Sequence, residues 1–154
     1  MKKILKISLI TIICLGTAFF VSAKMIHNFF DDSLPKEKIF DIVTKKQEKI
    51  IGYIEEADFD KKIKIRGIKW VNDSREDGYI DFCCGGSGMG GQSRYVGFYY
   101  LENDNIDVLI NSYKNDLYSF DQVDSSYTFK EKDGDNSFYV EKITDCFYYY
   151  CQEF

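Results

Sequence analysis

Positions 7–21 form an unbroken apolar run with nothing more polar than Ser8, Thr11 and Thr17, and Lys2, Lys3 and Lys6 lie on its N-terminal side only. A basic stretch followed by an apolar core is the pattern of an export leader. Val21-Ser22-Ala23 places compact residues before Lys24, so cleavage after Ala23 would release a secreted domain. Counted from Ile4 to Ala23 the run reaches 20 residues, the length that crosses ~30 Å of hydrocarbon with its lysines kept inside. A retained anchor at 1–23 is placed ahead of a cleaved signal, and either leaves the remainder outside the cytoplasm. Cys14 follows the bulky Ile13, where lipid attachment wants a small residue, and is read as apolar filling.

After a tether at 24–33, Ser33-Leu34-Pro35 supplies a helix cap with proline in the first turn. Ile39, Phe40, Val43, Ile50, Ile51 and Ile54 then recur at spacings of three, four and seven, which predicts an amphipathic helix over 35–56. Lys45, Lys46, Gln47, Glu48 and Lys49 read as its solvated side. From Lys62 the period becomes two, with Ile63 and Ile65, then Ile68 and Trp70 after a phase slip that marks Gly67 as a bulge. Residues 72–78 read as a polar turn. Further strands are expected at 79–84, 95–101, 106–110, 127–131, 138–143 and 146–154, and 132–136 has hairpin-turn chemistry. Residues 111–124 give no clear pattern. The fold expected is α+β: a single domain at 34–154, one helix on an antiparallel sheet of five to six strands.

Composition narrows the partners. Without the leader the chain holds 17 basic and 25 acidic side chains, a net charge of −8. Neutralising nucleic-acid phosphates or anionic lipid takes an excess of Lys and Arg, so neither is expected as a partner of the domain. The expected contacts are the membrane, through residues 4–23 if the leader stays, and a protein partner of basic character.

Candidate chemistry is sparse. Cys83-Cys84-Gly85-Gly86-Ser87-Gly88-Met89-Gly90-Gly91 contains the Gly-x-Gly-x-x-Gly spacing of phosphate loops, but a strand follows where a helix N-terminus is needed. The stretch reads as a mobile connection between strands, and Gly86, Ser87, Gly88, Met89, Gly90 and Gly91 are candidate contact residues. Tyr99 and Tyr149 join them, because Tyr99-Tyr100 and Tyr148-Tyr149-Tyr150 put rings on both faces of their strands and one face is expected to be exposed. Cys83, Cys84, Cys146 and Cys151 form an even set outside the cytoplasm, so disulfides from the 83–84 pair to Cys146 and Cys151 are a candidate, with free thiols the alternative. Such bonds would need strand 79–84 beside the last strand. No zinc spacing is present, and neither metal nor cofactor is expected. His27, the sole histidine, lies in the tether, away from any nucleophile. Asp104 with Asp107 and Asp133 with Asp135 read as turn residues.

Three segments together, Cys84-Gly85-Gly86-Ser87-Gly88, Tyr95-Val96-Gly97-Phe98-Tyr99-Tyr100, and Asp135-Asn136 followed by Glu141-Lys142-Ile143-Thr144-Asp145 and Phe147-Tyr148-Tyr149-Tyr150, resemble a group of small exported proteins of low-GC Gram-positive bacteria. The doubled cysteine at 83–84 departs from the single one of that group. The resemblance implies export and carries no activity with it. The function expected is therefore a non-enzymatic extracytoplasmic binding domain. The alternatives are a carboxylate-dependent enzyme acting on cell-wall or sugar substrates, and an immunity or inhibitor module whose acidic face masks a basic toxin.

Overall fold

A computed structural model describes residues 31–56, 63–89 and 92–154. The chain divides between Asp32 and Ser33, and all the elements below belong to the second part. The leader at 1–23, most of the tether, Cys14 and His27 lie outside the described residues. Among the described residues no helix is long and apolar enough to cross a membrane.

Helix α1 spans Lys36–Glu56 and buries Ile39, Val43, Ile50 and Ile54, the stripe its spacing predicts. Pro35 lies just before it, its carbonyl accepting from the N–H groups of Lys38 (3.0 Å) and Ile39 (3.2 Å). The helix breaks its dihedral pattern once, at Lys46 (φ −127°, ψ 15°).

Seven strands follow: β1 (Trp70–Ser74), β2 (Tyr79–Met89), β3 (Gln92–Leu101), β4 (Tyr118–Val123), β5 (Ser126–Glu131), β6 (Ser137–Thr144) and β7 (Phe147–Glu153). They form one sheet in the order β1-β2-β3-β7-β6-β5-β4, antiparallel at every pairing. The α+β class holds, but among the described residues the sheet has seven strands where five or six were expected.

Both faces of this sheet are buried. On one, Ile80, Phe82, Cys84, Val96, Phe98, Phe147 and Tyr149 pack under α1 and under Ile63, Ile65 and Ile68. On the other, Tyr99, Leu101, Phe129, Phe138, Val140, Tyr148 and Tyr150 pack under Leu109 and Ile110, with Tyr113 against them. This explains why the central strands read as unbroken apolar runs: alternate side chains face opposite sides, and here each side is a core. Rings stack within each layer, Phe82 on Phe98 at 4.8 Å and Tyr99 on Tyr150 at 4.5 Å between centroids.

Four expectations are corrected. Ile63 and Ile65 alternate but join no ladder; they are buried as an extended cover beside α1. Gly67 sits in a turn (φ 105°), not a bulge; the register shifts lie at Cys83/Gly86 and at Lys142/Thr144. Residues 72–74, read as turn, belong to β1, whose polar side chains occupy an edge strand where solvent tolerates them. Residues 106–110, read as a strand, form the one-turn helix α2 (Asp107–Ile110). Their alternation is misleading because neighbours Leu109 and Ile110 are both buried, and Asn105 starts the turn by accepting the Asp107 N–H at 3.2 Å. This segment carries the chain from central β3 across the second face to edge strand β4, the element hidden in the unreadable stretch 111–124.

Candidate functional site

Two sequence periods meet to build a basic cleft. Along α1, Ile42, Lys45, Lys46 and Lys49 fall at i, i+3, i+4 and i+7, a stripe beside the buried one. In the extended segment 63–68, Lys64 and Arg66 flank buried Ile65 and are exposed. Asp41, Ile42, Lys45, Lys46, Lys49, Lys64, Ile65 and Arg66 line a cleft of ≈ 350 Å³. Its five cations face a single carboxylate. The rest of residues 24–154 holds 12 basic and 24 acidic side chains, so the cleft is a positive island on a negative domain.

Two of the cations are held in place. Lys45 pairs with Asp41 at 2.9 Å on the exposed rim, and Lys49 donates to the Lys64 carbonyl at 3.0 Å. Lys46, Lys64 and Arg66 make no side-chain ion pair with any described residue. The arrangement can hold a multivalent anion by several donors at once.

A second polar feature lies within the sheet. Asp81 on β2 stands opposite Asn72 on β1 and Tyr99 on β3. Its Oδ1 is buried without a hydrogen-bond partner among the described residues. Burial pushes the carboxyl up to about 7, against the opposing pull of a hydrogen bond from Tyr150. The Tyr150 phenol is driven far above its usual range, by burial first and then by the Asp81 charge. A carboxyl titrating near neutrality suits proton transfer. Among the described residues no second carboxylate contributes to its environment, however, and the buried Tyr99 and Tyr150 rings lie beside it.

Comparison with known protein families, curated proteins and solved structures returns no match. The residues present must carry the functional reading alone.

Through Met89 the glycine segment is strand and not loop. Gly86, Ser87, Gly88 and Met89 belong to β2 and pair with Tyr95, Arg94, Ser93 and Gln92 of β3, while Gly90 and Gly91 lie outside the described residues. Gly86 is required by close approach: a Cβ there would stand 2.6 Å from the Arg94 carbonyl oxygen and 2.9 Å from the Tyr95 ring. Tyr99 and Tyr149 are 5% and 4% exposed and lie on opposite faces, so neither ring offers the expected open surface. Tyr149 packs under α1 with the Lys36 ammonium 5.5 Å from its ring centroid.

The disulfide expectation fails on topology. β3 lies between β2 and β7, so Cys83 and Cys84 sit two strand spacings from Cys151, about 10 Å, beyond a disulfide's reach. Cys146 lies in the turn before β7, at the far end from Cys151. No disulfide joins any two of the four; Cys83 and Cys84 are buried and Cys146 and Cys151 half-buried. Among the described residues no three His, Cys, Asp or Glu side chains gather as metal ligands would.

Asp104 is more than a turn residue. Its Oδ1 accepts from the Cys146 N–H at 2.8 Å and the Tyr148 hydroxyl at 2.9 Å, and its Oδ2 takes Lys142. The carboxylate thus ties the end of β3 to the turn between β6 and β7. Asp107 instead faces Lys114 at 3.7 Å, and no shared site joins the two acids.

The cleft is what sequence reading missed. Lys45, Lys46 and Lys49 read as a solvated helix side, and Lys64 and Arg66 as the polar half of a strand. The available signal was two cationic stripes, one of each period, bordering apolar positions that had to pack together.

Proposed function

We propose that this chain is a non-enzymatic binding domain displayed outside the cytoplasm. The observation that carries this reading is the cleft: five cations against one carboxylate, four of them without a side-chain ion pair among the described residues, on a domain acidic elsewhere. Clustered like charges oppose one another unless an anion lies among them, so the arrangement suits an anion-binding surface. The enzyme alternative would rest on Asp81, which has the proton affinity but lacks the convergent second acid that sugar hydrolysis uses. Display outside the cytoplasm is supported by the one-sided lysines and apolar run at 1–23.

The test is to incubate the full chain with cell-wall polysaccharide and, separately, with small anions. Saturable binding without new product is expected. Release of a defined product, abolished in Asp81→Asn, would favour the carboxylate enzyme instead. Protease accessibility on intact cells checks placement, since the domain should be cut from outside.

A further inference from the structure

We infer that the cleft between α1 and residues 64–66 takes a compact multivalent phosphate, an oligophosphate or a phosphate ester, and not a long polyanion. The inference rests on the binding-domain reading and names its ligand.

Three features set the ligand class. The first is multivalency: Lys46, Lys49, Lys64 and Arg66 border one volume of ≈ 350 Å³, at the small end of ligand pockets. A single carboxylate would engage one or two of them and leave the remaining repulsion in place. The second is preorganisation, because Lys49 is already fixed by the Lys64 carbonyl at 3.0 Å and keeps N–H donors for an oxyanion. Arg66 adds a planar fork that matches two phosphate oxygens. The third is the field around the cleft. Acids outnumber bases two to one over the rest of residues 24–154, so a chain long enough to leave the cleft would run into negative potential within about a Debye length, ~8 Å at physiological salt. A ligand whose charge ends inside the cleft avoids that repulsion. Ile42 and Ile65 give the floor an apolar patch that an organic carrier could cover and an inorganic ligand would not.

The experiment titrates the full chain by calorimetry with inorganic tripolyphosphate, with a hexose bisphosphate and with long-chain polyphosphate. One-site saturation by the short phosphates is expected, weakening as salt rises. Tighter binding of the bisphosphate would assign an organic ester, and tighter binding of tripolyphosphate an inorganic ligand; both support the site. Lys46→Gln with Arg66→Gln should weaken binding at least about tenfold. Lys130→Gln with Lys132→Gln removes the same charge at the other end of the sheet and should leave the affinity unchanged. The cleft pair should also raise the melting temperature without ligand, because it relieves repulsion, whereas a misfolded variant would melt lower. Absence of saturable heat with either short phosphate, equal weakening by both pairs, or long polyphosphate binding tighter per site would overturn the inference. The binding-domain reading would survive those results and would fall only to product release.

Discussion

The Tyr150 phenol and the Asp81 carboxyl influence one another across a strand that separates them. Tyr150 is on β7 and Asp81 on β2, and the intervening residue of β3 is Gly97, directly opposite both Tyr150 and Cys83. A Cβ on Gly97 would stand 2.8 Å from the Tyr150 hydroxyl oxygen and 2.2 Å from the Phe82 carbonyl oxygen. The missing side chain is what leaves room for the phenol above β3, on the way to the buried carboxyl.

Gly97→Ala should therefore destabilise the domain by about 2 kcal/mol or more, since both obstacles belong to a packed core. Urea unfolding monitored by tyrosine fluorescence would give the change. The hydrogen bond to Asp81 should be lost with it, and Asp81 should then titrate differently by carboxyl NMR.

Asp81 makes stability depend on pH in a defined direction. Its folded value of about 7 lies above the ordinary 3.8, so between these values the folded chain holds a proton that the unfolded chain has released. Stability is greatest below about 4, declines as pH rises through this window, and levels off above about 7. The span is on the order of 2–4 kcal/mol. Asp81→Asn should flatten this part of the profile and melt higher than the parent above pH 7, as thermal melts across the window would show.

Asp104→Ala should cost about 1–3 kcal/mol, because it strands the Cys146 N–H and the Tyr148 hydroxyl at once. Burial, the largest single influence, would raise the Asp104 carboxyl, but the bonds from Lys142, Cys146 and Tyr148 outweigh it and hold it below the usual range. Its contribution is thus present above the ordinary carboxylate value and lost as pH falls through the folded one. Comparison of parent and variant melts in acid should show the difference closing.

Reducing agent should leave the melting temperature unchanged, since no pair of the described cysteines is bridged. Native labelling with a maleimide should modify Cys146 and Cys151 before Cys83 and Cys84, which are buried. The Cys84 thiol is pushed far up, chiefly by burial, and should react only after unfolding. Mass spectrometry of labelled peptides would separate the two sets.

The elements legible in the sequence were those whose burial has one period. Helix α1 announces itself through Ile39, Val43, Ile50 and Ile54, and the β5–β6 hairpin through alternation around a turn-rich centre. Tertiary context hid the others. β1 is polar because it is an edge, α2 mimics a strand because it buries neighbouring residues, and β2 runs on through glycines that look like a loop because Arg94 and Tyr95 crowd Gly86. Tyr99 looked like a spare ring because a second core on its face of the sheet leaves no trace in β3 beyond unbroken apolarity, whereas Tyr149 is covered by α1. The cleft was invisible for another reason: its halves lie about 20 residues apart, and neither is unusual alone.

The strand order also dictates when the molecule can be finished. Central β3 is joined on one side to its hairpin neighbour and on the other to β7, with Tyr99 beside Tyr148 nearly fifty positions later. A nascent chain thus carries one bare, aromatic edge until β7 emerges, and losing β7 would unzip the middle of the sheet, not its margin.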